Sequence, residues 1–193
     1  MGSRDEQRAN ALAAQLSADW PSRALRIRGG ANSAAASADI VVIATLWEAA
    51  VPTVAGLAVQ LEGKIVISMA NALAKVGKEM FALVPPRGSL AESVQRAAPG
   101  AQVVAALHHL PAADLADLET ALEADVLVCS DHRSARSATI ELIEQIPGLR
   151  GIDSGSLSYA SAVEAFTAVL VGINMRYKAH ASIRITGLDG RAQ

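Results

Sequence analysis

The run Ile40-Val41-Val42-Ile43-Ala44 is apolar at every position and is bounded by Asp39 and Thr45. Apolar residues without alternation mark a strand covered on both faces, as parallel strands are. Short β-branched runs of this kind fall at residues 24–28, 39–45, 64–68, 102–107, 125–129 and 149–153. Between them the apolar spacing lengthens to three and four. That period predicts helices over 5–17, 48–60, 89–98, 113–122 and 134–145. Strand and helix therefore alternate, which predicts an α/β domain built on a mainly parallel sheet.

The pattern changes near the end of the chain. Residues 157–178 read as one long helix, with Val163, Phe166, Leu170, Ile173 and Tyr177 forming an apolar stripe at 3-4-3-4 spacing. Such a stripe packs either on the sheet or on a second subunit. One further strand is expected at 182–186. The segment 84–88 contains Pro85 and Pro86 and reads as a stiff loop, not a domain boundary. No internal repeat or low-complexity linker interrupts the chain.

Composition narrows the function. The chain has 193 residues, 51% hydrophobic and 19% charged, so it can bury a core. A net charge of -2 does not favour a nucleic-acid or anionic membrane surface, and 3% aromatics leave little for stacking bases. The single cysteine, Cys129, forms no internal disulfide and lies in an apolar run, where an inert core thiol is expected. Residues 1–8 are polar and no apolar stretch follows them. The apolar stretch 159–175 is short for a membrane span and carries Glu164. A soluble cytoplasmic protein is the expectation.

In an open parallel sheet, ligands bind beyond the carboxyl ends of the strands. Residues at those points are the candidates. Ser3 and Arg4 precede the first predicted helix, and Arg8 follows Arg4 by four positions. A hydroxyl with two guanidiniums at a helix start can hold a dianion, such as the 2′-phosphate that distinguishes NADP from NAD. A Ser cap with solvated arginines is the plainer reading. Thr45 and Trp47 follow the 39–45 strand, Asn71 follows the 64–68 strand, and His108-His109-Leu110-Pro111 follows the 102–107 strand. Each has a structural alternative: helix packing for Trp47, a turn for Asn71. Successive strand residues face opposite ways, so at most one of His108 and His109 points into a given site. His132 and His180 are scattered and match no metal spacing. No G-x-G-x-x-G phosphate loop occurs in the chain.

Taken in order, Gly2-Ser3-Arg4-Asp5, Ala44-Thr45-Leu46-Trp47-Glu48-Ala49-Ala50, the 63–68 strand leading to Asn71, Ala106-Leu107-His108-His109-Leu110-Pro111-Ala112, Asn174-Met175-Arg176-Tyr177-Lys178 and 183–188 resemble the NADPH-dependent coenzyme F420 reductases. The resemblance runs from Gly2 to about Leu188. It implies a Rossmann-type fold and hydride transfer between NADP(H) and the deazaflavin F420. It places Ser3, Arg4 and Arg8 on the 2′-phosphate, Thr45, Trp47 and Asn71 along the cofactor cleft, and His108 and Leu110 beside the facing rings. Hydride transfer between two cofactors needs no protein acid or base, so no catalytic constellation is expected. The implied division is an NADP-binding part at 1–153 and a C-terminal part at 154–193 that faces F420 and forms a homodimer.

Two departures accompany the resemblance. Ala72 stands where a proline usually follows the Asn. The first strand, glycine loop and first helix of the expected βαβ unit are not in the sequence, so the sheet is expected to lack its central strand and the 193-residue polypeptide to be a poor catalyst. An NADP-dependent reductase of another small substrate, such as an imine, and a non-catalytic truncated homologue remain as alternatives.

Overall fold

The computed structural model describes residues 1–86 and 88–188. The chain opens with β1 (Gly2–Ser3) and α1 (Glu6–Asp19), then β2 (Gly30–Ala31) and α2 (Asn32–Ala35). β1 and β2 pair in parallel, Gly2 with Gly30 and Ser3 with Ala31. The main sheet follows. β3 (Ile40–Ile43) pairs in parallel with β4 (Ile65–Ser68), and β4 pairs with β7 (Gln102–Ala105). α3 (Trp47–Ala55) lies between β3 and β4, and α4 (Leu90–Ala97) precedes β7. α5 (Ala112–Ala116) follows β7. β8 (Ala124–Val128) then pairs in parallel with β9 (Leu149–Asp153), with α6 (Arg133–Ile143) between them, and α7 (Ala160–Tyr177) closes the fold. Parallel register brings the carboxyl ends of β3, β4 and β7 together: Ile43 faces Ser68, and Ser68 faces Ala105.

Alternation along these strands creates two cores. Val41, Ile43, Val66 and Val103 turn toward α3, α4 and the start of α7, where Val54, Leu61, Val94, Leu157 and Val163 are buried with them. Ile67, Val104 and Ala106 turn the other way and pack with Val126, Val128, Ile143 and Leu149. β8 sends Leu127, and the next residue Cys129, into the first core and Val126 and Val128 into the second. It therefore extends the plane of β7, joined through a single antiparallel bridge between Ala105 and Cys129. Both faces of β4, β7 and β8 are covered, as unalternating runs require, whereas β3, at the edge of its sheet, is fully covered on one face only.

The expected strand at 24–28 does not form. Ala24 adopts a left-handed φ of 47° after a turn of 3-10 helix at Pro21–Arg23. Only Gly30 and Ala31 find a partner edge, because β1 is itself two residues long. The expected helix over 113–122 stops at Ala116. The Asp117 carboxylate accepts from the Glu119 and Thr120 amides, and that local turn competes with the helix ladder. No strand forms at 182–186, although the Asp125 amide donates to the Ile183 carbonyl at 2.8 Å. An antiparallel hairpin that the helix-and-strand reading passed over, β5 (Leu73–Val76) with β6 (Glu79–Ala82), turns on Gly77 and Lys78 and packs against α7. Gly77 has a φ of 62°, the left-handed value a two-residue hairpin loop needs. Among the described residues no strand joins β1 to β3, so β1–β2 and β3–β4–β7 are separate sheets. Val42 of β3 remains 43% exposed.

Candidate functional site

The site begins at the start of α1. Asp5, not Ser3, caps this helix: its carboxylate accepts from the Gln7 and Arg8 amides at 2.9 and 3.2 Å. The Ser3 hydroxyl accepts from the Asp5 amide at 3.1 Å, which leaves its proton free for a ligand. Arg4 is exposed and lines a cavity of about 500 Å3 with Asn32, Glu48, Thr53 and Leu57. Arg8 is exposed in the first turn of α1 and does not line this cavity.

The first turn of α3 separates this cavity from a second. Trp47 opens the helix and is half-buried. With Val51, Ala72, Val84, Pro85 and Leu90 it lines a space of about 360 Å3. Glu48 borders both cavities, so they adjoin around that turn. Thr45 is exposed, and its hydroxyl donates to the neighbouring Leu46 carbonyl at 3.1 Å. It lines neither space.

Asn71 and His108 meet beyond β4 and β7. The Asn71 amide donates to the His108 carbonyl at 2.5 Å, and the Ala106 amide donates to the Ser68 carbonyl at 3.3 Å. Thr167 of α7 reaches the same His108 carbonyl at 3.5 Å. His108 and Leu110 are both buried, at 4% and 9% exposure. Burial, reinforced by the adjacent His109, lowers the His108 pKa to about 3. The Ala106 carbonyl lies close enough to offset part of that fall, although neither ring nitrogen makes a hydrogen bond of good geometry. A histidine held neutral in this way is no proton donor at ordinary pH; its ring serves as a buried, uncharged wall. The Ser68 hydroxyl and the Asn71 side-chain oxygen are likewise buried without a partner, so unspent hydrogen-bonding capacity is concentrated at the ends of β4 and β7.

The structure thus brings Arg4 to one cavity, Trp47 to its neighbour, and Asn71 to His108. It leaves Arg8 and Thr45 at the surface. Sequence reasoning missed Asn32, Glu164 and Thr167. The last two stand three apart on an otherwise apolar helix, and polar groups on a core-facing stripe were the available signal. Burial pushes the Cys129 thiol up to about 11, against reactivity. His132 starts α6, and His180 pairs with Asp114. Among the described residues no cluster of three or more His, Cys, Asp or Glu is placed to hold a metal.

Comparison with known proteins bears on this arrangement. A family model described as NADP oxidoreductase coenzyme F420-dependent matches residues 1–72. An F420-dependent NADP reductase of Methanocaldococcus jannaschii is 37% identical over 161 residues, which cover 82% of this chain and 72% of that protein. The chain belongs to this family. A second F420-dependent NADP reductase, from Methanothermobacter thermautotrophicus, is 32% identical over 194 residues, covering 97% of this chain and 84% of the relative. Among solved structures, a protein from Arthrobacter sp. FB24 described as an F420-dependent NADP reductase superposes with a TM-score of 0.80 at 25% identity, covering 96% of this chain and 86% of that one. The α/β architecture, with its mainly parallel strands, is thus the Rossmann-type fold of the F420-dependent NADP oxidoreductases.

Proposed function

We propose that this chain transfers a hydride between NADP(H) and coenzyme F420. The observation that carries the reading is its membership of the F420-dependent NADP oxidoreductases, joined to a cavity that opens on Arg4 at the start of α1. In this reading Ser3, Arg4 and Arg8 hold the nucleotide's 2′-phosphate, and Thr45 and Trp47 flank its path past the first turn of α3. Asn71, His108 and Leu110 shape the wall beside the reacting rings. The residues present fit an NADP-type nucleotide at the phosphate end, where the free Ser3 proton and the Arg4 charge suit a dianion. The bound cofactors supply the hydride chemistry, and the protein supplies position and a dry, uncharged wall. The neutral state of His108 suits that role, since a cation there would change the field along the hydride path. We read residues 1–153 as the NADP-binding part and 154–193 as the part that faces F420. A soluble cytoplasmic homodimer is the proposed form. Among the described residues one helix, Leu157–Tyr177, is apolar and long enough to cross a membrane, and it contributes Leu157 and Val163 to the core.

Loss of the deazaflavin visible absorbance on adding NADPH tests the activity. No loss with F420 but NADPH oxidation with a cyclic imine would move the chain to the imine-reductase reading, and neither reaction would favour a non-catalytic homologue. Arg4→Ala is expected to weaken NADPH binding by about 1.5–3 kcal/mol, as for a hydrogen bond to a charged group, and to leave NADH nearly unaffected. Equal losses for the two nucleotides would remove Arg4 from the 2′-phosphate.

A further inference from the structure

The loop after β7 is held in a strained form. Leu107 has a φ of 66°, and among the described residues only Ala24 and Lys178 share a left-handed φ outside glycine. A bulky residue adopts that conformation only under strain, and it persists only where the surroundings fix it. Beside the Ala106–Ser68 and Thr167–His108 contacts, three hydrogen bonds hold it. The Leu110 amide closes the turn on the Leu107 carbonyl at 3.2 Å, and Asn71 donates to the His108 carbonyl. The third belongs to His109, which is 2% exposed and lies 3.0 Å from the Asp125 carbonyl through Nε2. A carbonyl only accepts, so Nε2 carries the proton, and the ring is tied across to β8. The rings of His108 and His109 meet edge to face with centroids 5.4 Å apart. The His109 side chain therefore grips β8, and the His108 ring that it touches is carried along.

We propose that His109 is the positioning residue of this site: its bond to Asp125 holds the strained 106–110 loop and so sets where His108 and Leu110 stand. The effect on turnover rests on the reading of His108 and Leu110 as ring-facing, whereas the anchoring of the loop does not.

Two readouts separate these claims. Amide hydrogen exchange in the protein without nucleotide reports the loop, and steady-state kinetics with NADPH and F420 report the site. His109→Leu keeps an apolar bulk and removes the bond. The Ala106 and Leu110 amides are then expected to exchange at least about tenfold faster, while amides of β3 and β4 keep their protection. The kcat should fall by about tenfold or more with the KM for NADPH held within about twofold, because the nucleotide's phosphate end is untouched. His109→Gln, whose amide can reach the same carbonyl, should restore most of both. Adding Leu107→Gly to His109→Leu should also restore loop protection, since glycine adopts this φ without strain. Unchanged exchange at Ala106 and Leu110 in His109→Leu overturns the proposal, as does a uniform loss of protection across the sheet that neither Gln nor the glycine rescues. Faster loop exchange with unchanged kcat upholds His109 as the anchor and instead removes His108 and Leu110 from the hydride site.

Discussion

Asp125 has no exposed side-chain surface, yet it is surrounded by partners. Arg150 grips both its oxygens, at 2.9 and 2.8 Å, Arg184 adds a contact at 3.1 Å, and the Ile185 amide donates at 2.6 Å. Burial alone would raise this carboxyl. The hydrogen bonds from Arg150, Ile185 and Arg184 outweigh it and hold the pKa at about 2. A carboxylate whose folded pKa is depressed stabilises the fold above its unfolded value near 4, and that contribution disappears as pH falls through the folded value. Stability should therefore decline by roughly 1–2 kcal/mol between about pH 4 and pH 2 from this residue, after allowing for the solvent around Arg184. An Asp125→Asn protein should lose the step, and acid titration of the unfolding midpoint checks it; an identical acid limb in both proteins would refute the assignment. This network was not legible in the sequence. Asp125 opens an apolar run and reads as the polar start of a strand, and nothing local says that arginines 25 and 59 residues away converge on it. The candidate residues at strand ends were legible, because parallel topology alone places Asn71 near His108. How those residues sit relative to the cavities was not: Arg4 lines one of them, whereas Arg8 and Thr45, equally exposed, line neither of the two described.

At the scale of elements, the N-terminus of α4 shows how a buried carboxyl can be structural. Ser89 and Glu92 form a reciprocal capping box, with the Glu92 amide donating to the Ser89 hydroxyl and the Ser89 amide donating to the Glu92 carboxylate. That leaves the Leu90 and Ala91 amides, and Glu164 of α7 takes both, at 2.7 and 3.0 Å. The charge that interrupts the apolar helix in sequence is thus a cap supplied from another element. Burial raises the Glu164 pKa, and the two helix amides pull it back. Glu164→Leu, which strands two buried donors, is expected to destabilise by about 2–4 kcal/mol, and Glu164→Gln by about 1–2 kcal/mol, because it keeps one acceptor but loses the charge. Denaturant midpoints decide this; a neutral Glu164→Leu would mean the amides find other partners. The same scale shows what periodicity reads well. The β3, β4, β7, β8 and β9 runs and the helices α3, α4 and α6 emerge close to their expected places, since apolar runs mark the strands and a 3.6-residue spacing marks the helices, whereas α5 stops at Ala116. The β5–β6 hairpin and the 24–28 segment were misjudged because neither is an unbroken apolar run, and whether such a segment pairs depends on an edge elsewhere in the fold.

For the whole molecule, the decisive question is what covers the outer side of α7. The stripe read from sequence divides in the structure: Val163 and Leu170 are buried by the chain's own core, at 7% and 4% exposure, whereas Phe166 and Tyr177 are exposed. Val169 and Met175 are exposed with them. Phe81, Leu83 and Val84 are also exposed, on and just after the hairpin that α7 packs against. A monomer rarely leaves this many large apolar side chains on neighbouring elements open to water. The expected outcome is a homodimer that buries Phe166 and Val169, and the helix that caps α4 through Glu164 and touches the His108 carbonyl through Thr167 would then tie assembly to the site. Phe166→Glu places a charge in the middle of that face, where burial without a partner is strongly unfavourable. It should shift the protein to monomer at micromolar concentration by light scattering, while hydrogen exchange in β3, β4 and β7 remains as in the parent. If the parent protein is itself a monomer under those conditions, the exposed face of α7 has another occupant and the dimer is abandoned.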